Sequence, residues 1–369
     1  MAKQQPTIRV EAGKLEAFMD TVFRGLGVPP DEAAVCANVL IAADLRGIDS
    51  HGINRLKPIY YDRIRDGVIL PVTAIETVRE GPTTAVLDGH NGMGQVIARR
   101  AMSLAIDKAR AYGLGMVAVR NSNHYGIAGY YALMAADAGL IGITGTNARP
   151  SIAPTWGVEN MLGTNPMTFA LPTDEPFPFL LDCATSVTQR GKIEVYARTG
   201  KPLPDGWVLD RDGRSLTDSR RVLDDLVAGT AALTPLGGIG EETAGYKGYG
   251  YSAVVEILSA ALQQGCFMKQ LLGLENGRKV PYRLGHFFLA VDIAAFTEPA
   301  AFKKTAGDIL RALRASRRMP GAGRIYTAGE KEYGCLLDRA EHGIPLNAAL
   351  QGEIRQMSAE LNLAHDLFP

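Results

Sequence analysis

The stretch Met116-Val-Ala-Val-Arg-Asn-Ser-Asn-His-Tyr-Gly126 decides the fold of this 369-residue chain. Its first residues are mostly apolar and rich in valine, which predicts a strand, and the apolar segment over about 127–138 predicts a helix. The next run, Ile141-Gly-Ile-Thr-Gly145, predicts a second strand. A strand, a helix and another strand in this order indicate an α/β sheet with helices on its faces.

Outward from this unit, short β-branched runs alternate with glycine turns and alanine-rich helical runs between about residues 71 and 300. Both ends of the chain instead have apolar residues at helical spacing, over 15–23, 302–317 and 346–361. We therefore predict one helical layer, built from both termini, beside a central α/β body. The predicted parts are an N-terminal helical part over 1–75, a sheet domain over 76–304, and a helical segment over 305–369 that returns to the N-terminal part.

Charge and hydropathy exclude several classes of protein. Lys plus Arg and Asp plus Glu both number 39, so the formal net charge is zero, which argues against a nucleic-acid partner. The chain has no run of about 18 uncharged apolar residues, which argues against a membrane partner. Its first residues lack the apolar core of a signal peptide, so we expect a cytoplasmic protein.

Cysteine, histidine and glycine spacing excludes several kinds of site. The four cysteines lack a Cys-x-x-Cys pair, and the six histidines lack the i, i+4 spacing of a helical zinc site, so we expect no metal. The glycine-rich stretches 92–94 and 238–240 begin a dinucleotide-binding fingerprint but lack its third glycine, so a Rossmann site is not expected. A P-loop at 240–248 is excluded because Gly248 stands where serine or threonine is needed.

His124 is the first candidate for chemistry. It lies directly after the predicted strand and before the predicted helix, where the carboxyl ends of strands form clefts in open α/β sheets. An imidazole at such a position can exchange a proton near neutral pH, as a general acid or base does. It can equally cap the helix or satisfy a buried hydrogen bond, and the sequence leaves both interpretations open.

The segment Asp49-Ser-His-Gly-Ile-Asn-Arg55 is the second candidate. If Ser50 begins a helix, His51 and Arg55 are i, i+4 neighbours on one face. A guanidinium beside an imidazole can bind a carboxylate, because the planar fork donates to both carboxylate oxygens. The spacing alone favours the simpler alternative, a capped helix with a solvated basic face.

A third group consists of turns rich in glycine, hydroxyl residues and lysine. Exposed backbone N–H groups and a lysine amine suit an extended polyphosphate ligand. Ordinary turn chemistry explains each turn singly, and only their joint occurrence favours ligand binding. The turns are Gly145-Thr-Asn147, Gly163-Thr-Asn-Pro166, Asp182-Cys-Ala-Thr-Ser186, Tyr246-Lys-Gly-Tyr-Gly250 and Ala328-Gly-Glu-Lys331.

Seven motifs in order resemble those of a known family. They are Ser50-His-Gly with Arg55, Asn121-Ser-Asn-His-Tyr-Gly126, Gly163-Thr-Asn-Pro166, Leu181-Asp-Cys-Ala-Thr-Ser186, Leu233-Thr-Pro-Leu-Gly237, Lys247-Gly-Tyr-Gly250 and Gly285-His-Phe-Phe288. Across about residues 12–360 the chain resembles the type-2 malate/L-lactate dehydrogenase family. That family also contains ureidoglycolate and sulfolactate dehydrogenases, diketogulonate reductase and piperideine-2-carboxylate reductase.

The resemblance implies a homodimeric, non-Rossmann oxidoreductase whose mixed-sheet domain carries NAD or NADP. It implies hydride transfer between the nicotinamide and a small-molecule carboxylate substrate, a 2-hydroxy acid or 2-keto acid such as malate or lactate. It also implies that His124 is the proton acceptor and donor, with His51 and Arg55 as further catalytic residues. The implied substrate contacts are Ser50, His51, Arg55, Tyr60 and Thr164, and the implied cofactor contacts are Asn123, His124, Asn147, Asp182, Cys183, Ala184, Lys247, Gly329, Glu330 and Lys331.

The chain departs from the family pattern at Ala148, where many members have a serine that contacts the cofactor. This departure puts the hydroxyl contact in doubt. Arg149, which follows, could pair with the 2′-phosphate of NADP or be a solvated surface residue, so NAD versus NADP stays open. The strongly charged stretch 207–231 is interpreted as an exposed loop and helix without a catalytic residue.

Other functions stay open at this point, as do the exact substrate and the stereochemistry at C2. An imine reductase acting on a cyclic imino acid would use the same hydride and carboxylate chemistry on a C=N bond. A ureidoglycolate or sulfolactate dehydrogenase would use it on another 2-hydroxy acid. A binding or scaffold protein could keep the fold without turnover, although the intact His124 and Arg55 motifs argue against this. A zinc alcohol dehydrogenase needs metal ligands that the sequence does not offer.

Overall fold

The computed structural model describes residues 7–364 and 367–368 of the chain. Within this part, no helix is both long and apolar enough to cross a membrane. The helices are α1 Ala12–Gly25, α2 Pro30–Leu45, α3 Asp62–Arg65, α4 Gly94–Tyr112, α5 Ala128–Asp137, α6 Arg190–Thr199, α7 Ser219–Ala228, α8 Gly245–Ala260, α9 Pro299–Ala315, α10 Glu330–His342 and α11 Ala348–Leu361. The strands are β1 Ile8–Val10, β2 Glu76–Glu80, β3 Thr84–Asp88, β4 Leu114–Ser122, β5 Ile141–Thr146, β6 Met167–Leu171, β7 Phe179–Cys183, β8 Val208–Asp210, β9 Ala231–Leu233, β10 Leu274–Glu275, β11 Arg278–Lys279, β12 Leu284–Val291 and β13 Ile344–Leu346.

Seven strands form one mixed sheet in the order β2-β3-β4-β12-β5-β6-β7. The two predicted strands of the central unit are present as β4 and β5, and the predicted helix between them is α5. These strands are not neighbours, because β12 lies between them and is antiparallel to both. β3 and β4 form a parallel pair with α4 as the crossover helix. The predicted mixed-sheet α/β fold is therefore confirmed.

One edge of this sheet collects the ends of five strands. The carboxyl ends of β4 and β5 lie there, and β7 also ends there because β6 is antiparallel to both β5 and β7. The strands β12 and β6 start at the same edge, since Leu284 pairs with Ser122 and Met167 pairs with Cys183. The loops that follow β4, β5 and β7 therefore meet the loops that precede β6 and β12.

Helices cover both faces of the sheet. Gly142 of β5 lies so close to the Ala132 carbonyl of α5 that a Cβ atom there would overlap it. Gly285 of β12 lies equally close to the Ser259 carbonyl of α8. Residue 286 pairs with residue 146, and alternate strand residues point to opposite faces. α5 and α8 therefore pack on opposite faces, and the edge between them is the place for a site.

The helical layer is built from both ends of the chain, as expected. Its hydrophobic core joins α1, α2 and the segment 53–61 to β13 and α11, and Leu15 and Ile354 are fully buried in it. β1 pairs with β13, which ties the two termini together. The predicted domain boundaries stay predictions. The second boundary, after residue 304, lies within α9, and Arg311 of this helix forms an ion pair with Asp174 in the turn between β6 and β7.

The helix expected to begin at Ser50 starts later and is irregular. Ile53–Arg55 form a 3-10 turn, Leu56–Tyr61 form a π-helical turn, and α3 follows. The cap comes from Asp44, whose Oδ2 accepts a hydrogen bond at 2.8 Å from the first amide of the 3-10 turn. His51 therefore lies in a turn before the helix, and the expectation that it shares a helix face with the arginine four residues later is wrong.

The charged stretch 207–231 is not simply an exposed loop and helix. β8 and β9 form a small antiparallel sheet beside α7. Val208, Val222 and Leu233 are buried in a separate hydrophobic cluster. The interpretation as wholly exposed is wrong, because the charged side chains alternate with these apolar ones.

Candidate active site

His124 lies in the loop after β4, at the sheet edge where the five strand ends meet. The hydroxyl of Tyr60 lies 2.6 Å from Nδ1 of His124, and the Gly126 amide donates a long hydrogen bond of 3.3 Å to the same nitrogen. Nδ1 is therefore held from inside the protein. Nε2 has no hydrogen-bond partner among the described residues and is not one of the buried unpaired atoms, so it is the nitrogen that a ligand can reach.

The partners of Nδ1 permit two neutral forms of the His124 ring. When the Tyr60 hydroxyl and the Gly126 amide both donate to Nδ1, the ring proton is on Nε2. When Nδ1 carries the proton, the Tyr60 oxygen accepts it, and the Tyr60 hydroxyl can donate to the His124 carbonyl oxygen 3.4 Å away. The second form leaves a lone pair on Nε2, which is what a general base needs.

His51 lies against the His124 imidazole. The two rings stack with their centroids 5.6 Å apart and an interplanar angle of 19°. Ser50 Oγ lies 2.8 Å from Nδ1 of His51 and orients this ring. The structure thus brings Ser50, His51 and His124 together as predicted, although through a turn rather than through a shared helix.

Arg55 supplies the positive charge of the site. Its side chain is half-buried, and its guanidinium forms no hydrogen bond or ion pair within residues 7–364 and 367–368. It lies close enough to His51 and His124 to lower the pKa of each. A partly desolvated guanidinium without a counter-ion favours an anionic ligand.

The surroundings of both imidazoles favour the neutral form. Burial lowers the pKa of His124 well below its ordinary value, and the neighbouring His51, Arg55 and His286 lower it further. Burial and Arg55 likewise lower the pKa of His51 to about 4. A bound carboxylate would raise both pKa values, because an opposite charge favours the protonated imidazole.

Two predicted substrate residues lie in different surroundings. Tyr60 is fully buried behind His124, so it contacts the imidazole, and its direct contact with a substrate stays a prediction that this burial argues against. Thr164 precedes β6 at the same sheet edge and lines a cavity of about 680 Å³. Its carbonyl accepts a hydrogen bond of 3.0 Å from the Thr185 amide, which joins the loop before β6 to the loop after β7.

Sequence reasoning missed Asp44 and Arg339, which support the turn that carries His51. Arg339 forms an ion pair with Asp49 and donates to the Asp44 carbonyl. Burial raises the pKa of the Asp44 carboxyl to about 8. A Cβ atom on Gly52 would overlap this carboxyl. Gly52, directly after His51, is a sequence signal that another group lies close to the backbone there. No sequence pattern identifies that group as the Asp44 carboxyl.

Sequence reasoning also gave no function to His286. This histidine is fully buried, and its ring stacks on Tyr125 with centroids 4.5 Å apart. Its Nδ1 lies 2.7 Å from Thr146 Oγ1, and burial lowers its pKa to about 3. His286 therefore packs as a neutral ring under the loop that carries His124. In the described part of the chain, no group of three or more His, Cys, Asp or Glu side chains is arranged to hold a metal ion.

The predicted cofactor residues at the end of β7 lie on the α5 side of the edge. The Asp182 carboxylate accepts hydrogen bonds from the Gly129 amide at 2.7 Å and from the Thr168 hydroxyl at 2.9 Å. These two bonds attach β7 to the first turn of α5, so Asp182 has a structural function beside any contact with a cofactor. Cys183 and Ala184 follow it and are half-buried at the strand end.

Asn123 and Asn147 are fully buried and fix the loops of the edge. Asn123 donates through Nδ2 to two backbone carbonyls at 2.9 Å each, and its Oδ1 has no partner among the described residues. Asn147 donates to the Cys266 carbonyl at 3.1 Å and accepts from the Gly285 amide at 2.8 Å. Contact with a cofactor stays a prediction for both, and the two hydrogen bonds of the Asn147 amide hold it against the backbone of neighbouring loops.

Lys247 and Lys331 lie in the first turns of α8 and α10. Neither amine forms an ion pair with the described residues. Gly329 has a left-handed φ of +89° at the start of α10, and the Glu330 carboxylate pairs with Arg324. Helix N-terminal amides and free amines suit phosphate groups, so the lysines rather than the glutamate offer binding groups here.

These groups fit a nicotinamide dinucleotide. The two free lysine amines at helix N-termini match the charge of its pyrophosphate. The unpartnered Oδ1 of Asn123, next to His124 in the chain, matches an amide donor such as a carboxamide. Asn123, Lys247 and Lys331, with the strand end at Asp182, Cys183 and Ala184, therefore stay the predicted cofactor contacts.

The site therefore combines an imidazole whose Nε2 a ligand can reach with a guanidinium that has no ion-pair partner among the described residues, on a mixed sheet. The chain belongs to the malate/L-lactate dehydrogenase family, whose model matches residues 10–355. Membership implies a nicotinamide cofactor and a small-molecule substrate.

Comparisons with individual proteins agree with this family. The chain is 44% identical over 356 residues to a malate dehydrogenase of Pyrococcus horikoshii, covering 96% of both chains. It is 36% identical over 350 residues to an L-sulfolactate dehydrogenase of Methanocaldococcus jannaschii, covering 93% of this chain and 94% of that one. The crystal structure of a malate dehydrogenase from Entamoeba histolytica superposes with a TM-score of 0.94 at 43% identity, over 97% of this chain and 99% of that one. The predicted family and dehydrogenase class are confirmed.

Proposed function

We propose that this enzyme interconverts a small 2-hydroxy acid, malate-like or lactate-like, and the corresponding 2-keto acid, with NAD or NADP as the cofactor. A nicotinamide, when bound, would supply the hydride chemistry at C2 of the acid. In oxidation, Nε2 of His124 removes the hydroxyl proton, and in reduction the imidazolium returns it to the forming alkoxide. Arg55, with His51 beside it, binds the carboxylate and so orients C2.

The support for this proposal is the pair of unsatisfied groups in the site. Nε2 of His124 and the guanidinium of Arg55 are both reachable and both lack partners among the described residues. A 2-hydroxy acid carries a proton donor and an anion on adjacent carbon atoms, which are the two groups that this pair can bind. Its carboxylate would also raise the depressed pKa of His124, and so permit the imidazolium that reduction needs.

His124→Ala tests the acid/base assignment. We expect kcat for oxidation of the 2-hydroxy acid to fall about 10²- to 10⁴-fold, because a general base is lost while the fold is kept. The matched control is His342→Ala, since His342 is an exposed histidine in the last turn of α10. Near-normal turnover by a purified, folded His124→Ala enzyme would contradict the assignment.

One assay panel identifies substrate and cofactor together. Oxaloacetate, pyruvate and a cyclic imino acid are each reduced with NADH and with NADPH, and the nicotinamide absorbance is followed. We expect turnover of a 2-keto acid. Faster turnover of the imino acid would replace the proposal by an imine reductase, and no turnover with any compound would reject both.

We further propose that the enzyme is a homodimer. Tyr251, Val254 and Ile257 follow one another at helical spacing on α8 and are 58%, 43% and 60% exposed. Large apolar side chains on one exposed helix face are typical of a surface that another chain covers. The family resemblance, which implies a dimer, agrees with this surface.

A further inference from the structure

The cavity lined by Thr164 has a strong excess of positive charge. Its volume is about 680 Å³, and its wall contains four cationic side chains against one carboxylate. The cations are Arg149, Arg190, Arg211 and Lys269, and the carboxylate is Glu159. Because a concave site with this imbalance concentrates field lines of one sign, it favours an anionic ligand.

The Thr164 side of the cavity adjoins the sheet edge that carries His124. Gly163 packs so closely on the turn after β5 that a Cβ atom would overlap the Ala148 carbonyl. This contact places Thr164 and Arg149 next to one another in the wall. Arg149 lines this wall and forms no ion pair within the described residues.

The other side of the cavity adjoins the turn that carries His51. Gly191, in the first turn of α6, lies against Ser50: a Cβ atom on Gly191 would be 3.7 Å from the Ser50 side chain. Arg190 is the residue before this glycine and lines the cavity. The start of α6 therefore brings Arg190 to the boundary between the cavity and the proposed carboxylate site.

Arg190 and Arg55 are electrostatic neighbours. Burial lowers the pKa of Arg55, Glu194 raises it, and Arg190 lowers it again. Glu194 pairs with Nε of Arg190 at 3.0 Å, but both side chains are about half exposed, and such exposed pairs are weak. The terminal nitrogens of Arg190 stay available, so a second guanidinium with free donors lies near Arg55 at the start of α6.

We propose that Arg190, assisted by Arg149, binds a second acid group of the substrate, so that the enzyme prefers dianionic 2-hydroxy acids to monoanionic ones. This inference rests on the proposed function. Arg55 binds the carboxylate next to C2, and Arg190 binds a carboxylate or sulfonate at the far end of the molecule. The planar guanidinium suits both, since each presents two oxygens to the fork. A monoanion leaves the second guanidinium without a partner.

The test compares malate with lactate in the intact enzyme. For Arg190→Gln we expect kcat/KM with malate to fall about 10- to 100-fold, which corresponds to the loss of one charge-assisted hydrogen bond pair. We expect kcat/KM with lactate to change by no more than about twofold. Arg190→Lys should recover only part of the loss, because the charge is kept and the fork is not. Arg55→Gln is the contrasting variant and should lower kcat/KM with both acids.

The control variant is Arg214→Gln, which changes a 78% exposed arginine that does not line the cavity. It should leave both substrates unaffected. Calorimetric titration with malonate, in the absence of cofactor, adds a measurement that does not depend on turnover. We expect binding to weaken in Arg190→Gln and not in Arg214→Gln. Equal loss with malate and lactate, or no loss, would overturn the proposal.

The same cavity could instead take the 2′-phosphate of NADP, so NADH and NADPH are compared in every variant. The proposal would be overturned if Arg149→Gln or Arg190→Gln changed the ratio of kcat/KM with NADPH to kcat/KM with NADH but left the ratio for malate and lactate unchanged. That result would assign the cavity to the phosphate. If the unaltered enzyme turns over no 2-hydroxy acid, the proposed function fails, and malonate titration still decides whether Arg190 binds a second anion.

Discussion

A single buried phenol contacts the nitrogen of His124 that points into the protein. The Tyr60 hydroxyl, 2.6 Å from Nδ1, can accept the ring proton there and so keep a lone pair on Nε2. Without that oxygen, the Gly126 amide is the remaining group at Nδ1, and it can only donate. Tyr60 is thus a positioning residue, because its oxygen is the group at Nδ1 that can accept a proton and so permits the tautomer in which His124 is a base.

Tyr60→Phe should therefore shift the neutral ring toward the form with its proton on Nε2. We expect kcat for oxidation to fall about 10- to 100-fold, within the range attributed to loss of general base function. Nitrogen chemical shifts of His124 should report the change of tautomer directly. Tyr61→Phe is the matched control, because Tyr61 is equally buried and its hydroxyl donates to Glu360, away from His124. Similar kcat values for the two variants would count against this function of Tyr60.

At this scale, the sequence offered candidate reactive groups but not their partners. His124, His51 and Arg55 could be selected because their motifs place an imidazole or a guanidinium after a strand or near a helix start. The contact between Tyr60 and His124 joins residues 64 positions apart, and no local pattern reports it. The burial that lowers the pKa of His124 is likewise a tertiary property.

The turn between α2 and the Ile53–Arg55 helix is held together by a buried carboxyl. Asp44 caps the helix, and burial raises its pKa to about 8. Because this exceeds its ordinary value of 3.8, folding takes up a proton at Asp44. The stabilising contribution is complete below about pH 4 and is lost as the pH rises through 8.

Asp44→Asn should remove this pH dependence, because asparagine keeps an acceptor for the Ile53 amide and does not ionise. We expect the variant to exceed the unaltered protein in free energy of unfolding at pH 8.5 by roughly 1–3 kcal/mol, with a smaller difference at pH 5. Urea denaturation at the two pH values measures this. Asp338→Asn, at a half-exposed carboxyl, is the control and should show no such change. A variant less stable at both pH values would reject the charge argument.

Individual elements were predictable where their patterns are local. Apolar residues at helical spacing located α1, α5, α9 and α11 within a few residues, and valine-rich or β-branched runs located β4 and β5. The position of β12 between β4 and β5 was not predictable, because strand order depends on pairing between segments about 140 residues apart. The prediction of a helix start at Ser50 was wrong for a similar reason, because the side chain that caps this helix is Asp44 of α2.

At the scale of the whole molecule, the exposed apolar face of α8 predicts assembly. Light scattering at low micromolar concentration should give a mass of about twice the 39.6 kDa chain. Ile257→Glu should shift the mass to that of one chain, because a charge in a buried apolar interface lacks a partner. The control is Leu313→Glu, at a 53% exposed leucine of α9. A monomeric unaltered protein, or a dimer that survives Ile257→Glu, would remove α8 from the interface.

The overall architecture was predictable because the two kinds of segment are separated along the chain. Helical periodicity at both ends and β-branched runs between them indicate a helical layer beside a sheet body. The cluster around Val208, Val222 and Leu233 was missed, because its apolar residues are interrupted by charged ones and show no clear period. Its importance is local: α6 and α7 carry part of the wall around the Arg190 cavity.

The insertion of β12 also affects synthesis of the protein. His286 bonds to Thr146, 140 residues earlier, so β4 and β5 leave the ribosome long before the strand that joins them. At a translation rate of about 5–20 residues per second, the edges of β4 and β5 that pair with β12 stay without it for roughly 10–30 s. Open edges of this kind recruit other strands. In a nascent chain of this enzyme, the facing edges of β4 and β5 therefore lack their native partner until translation has passed Val291.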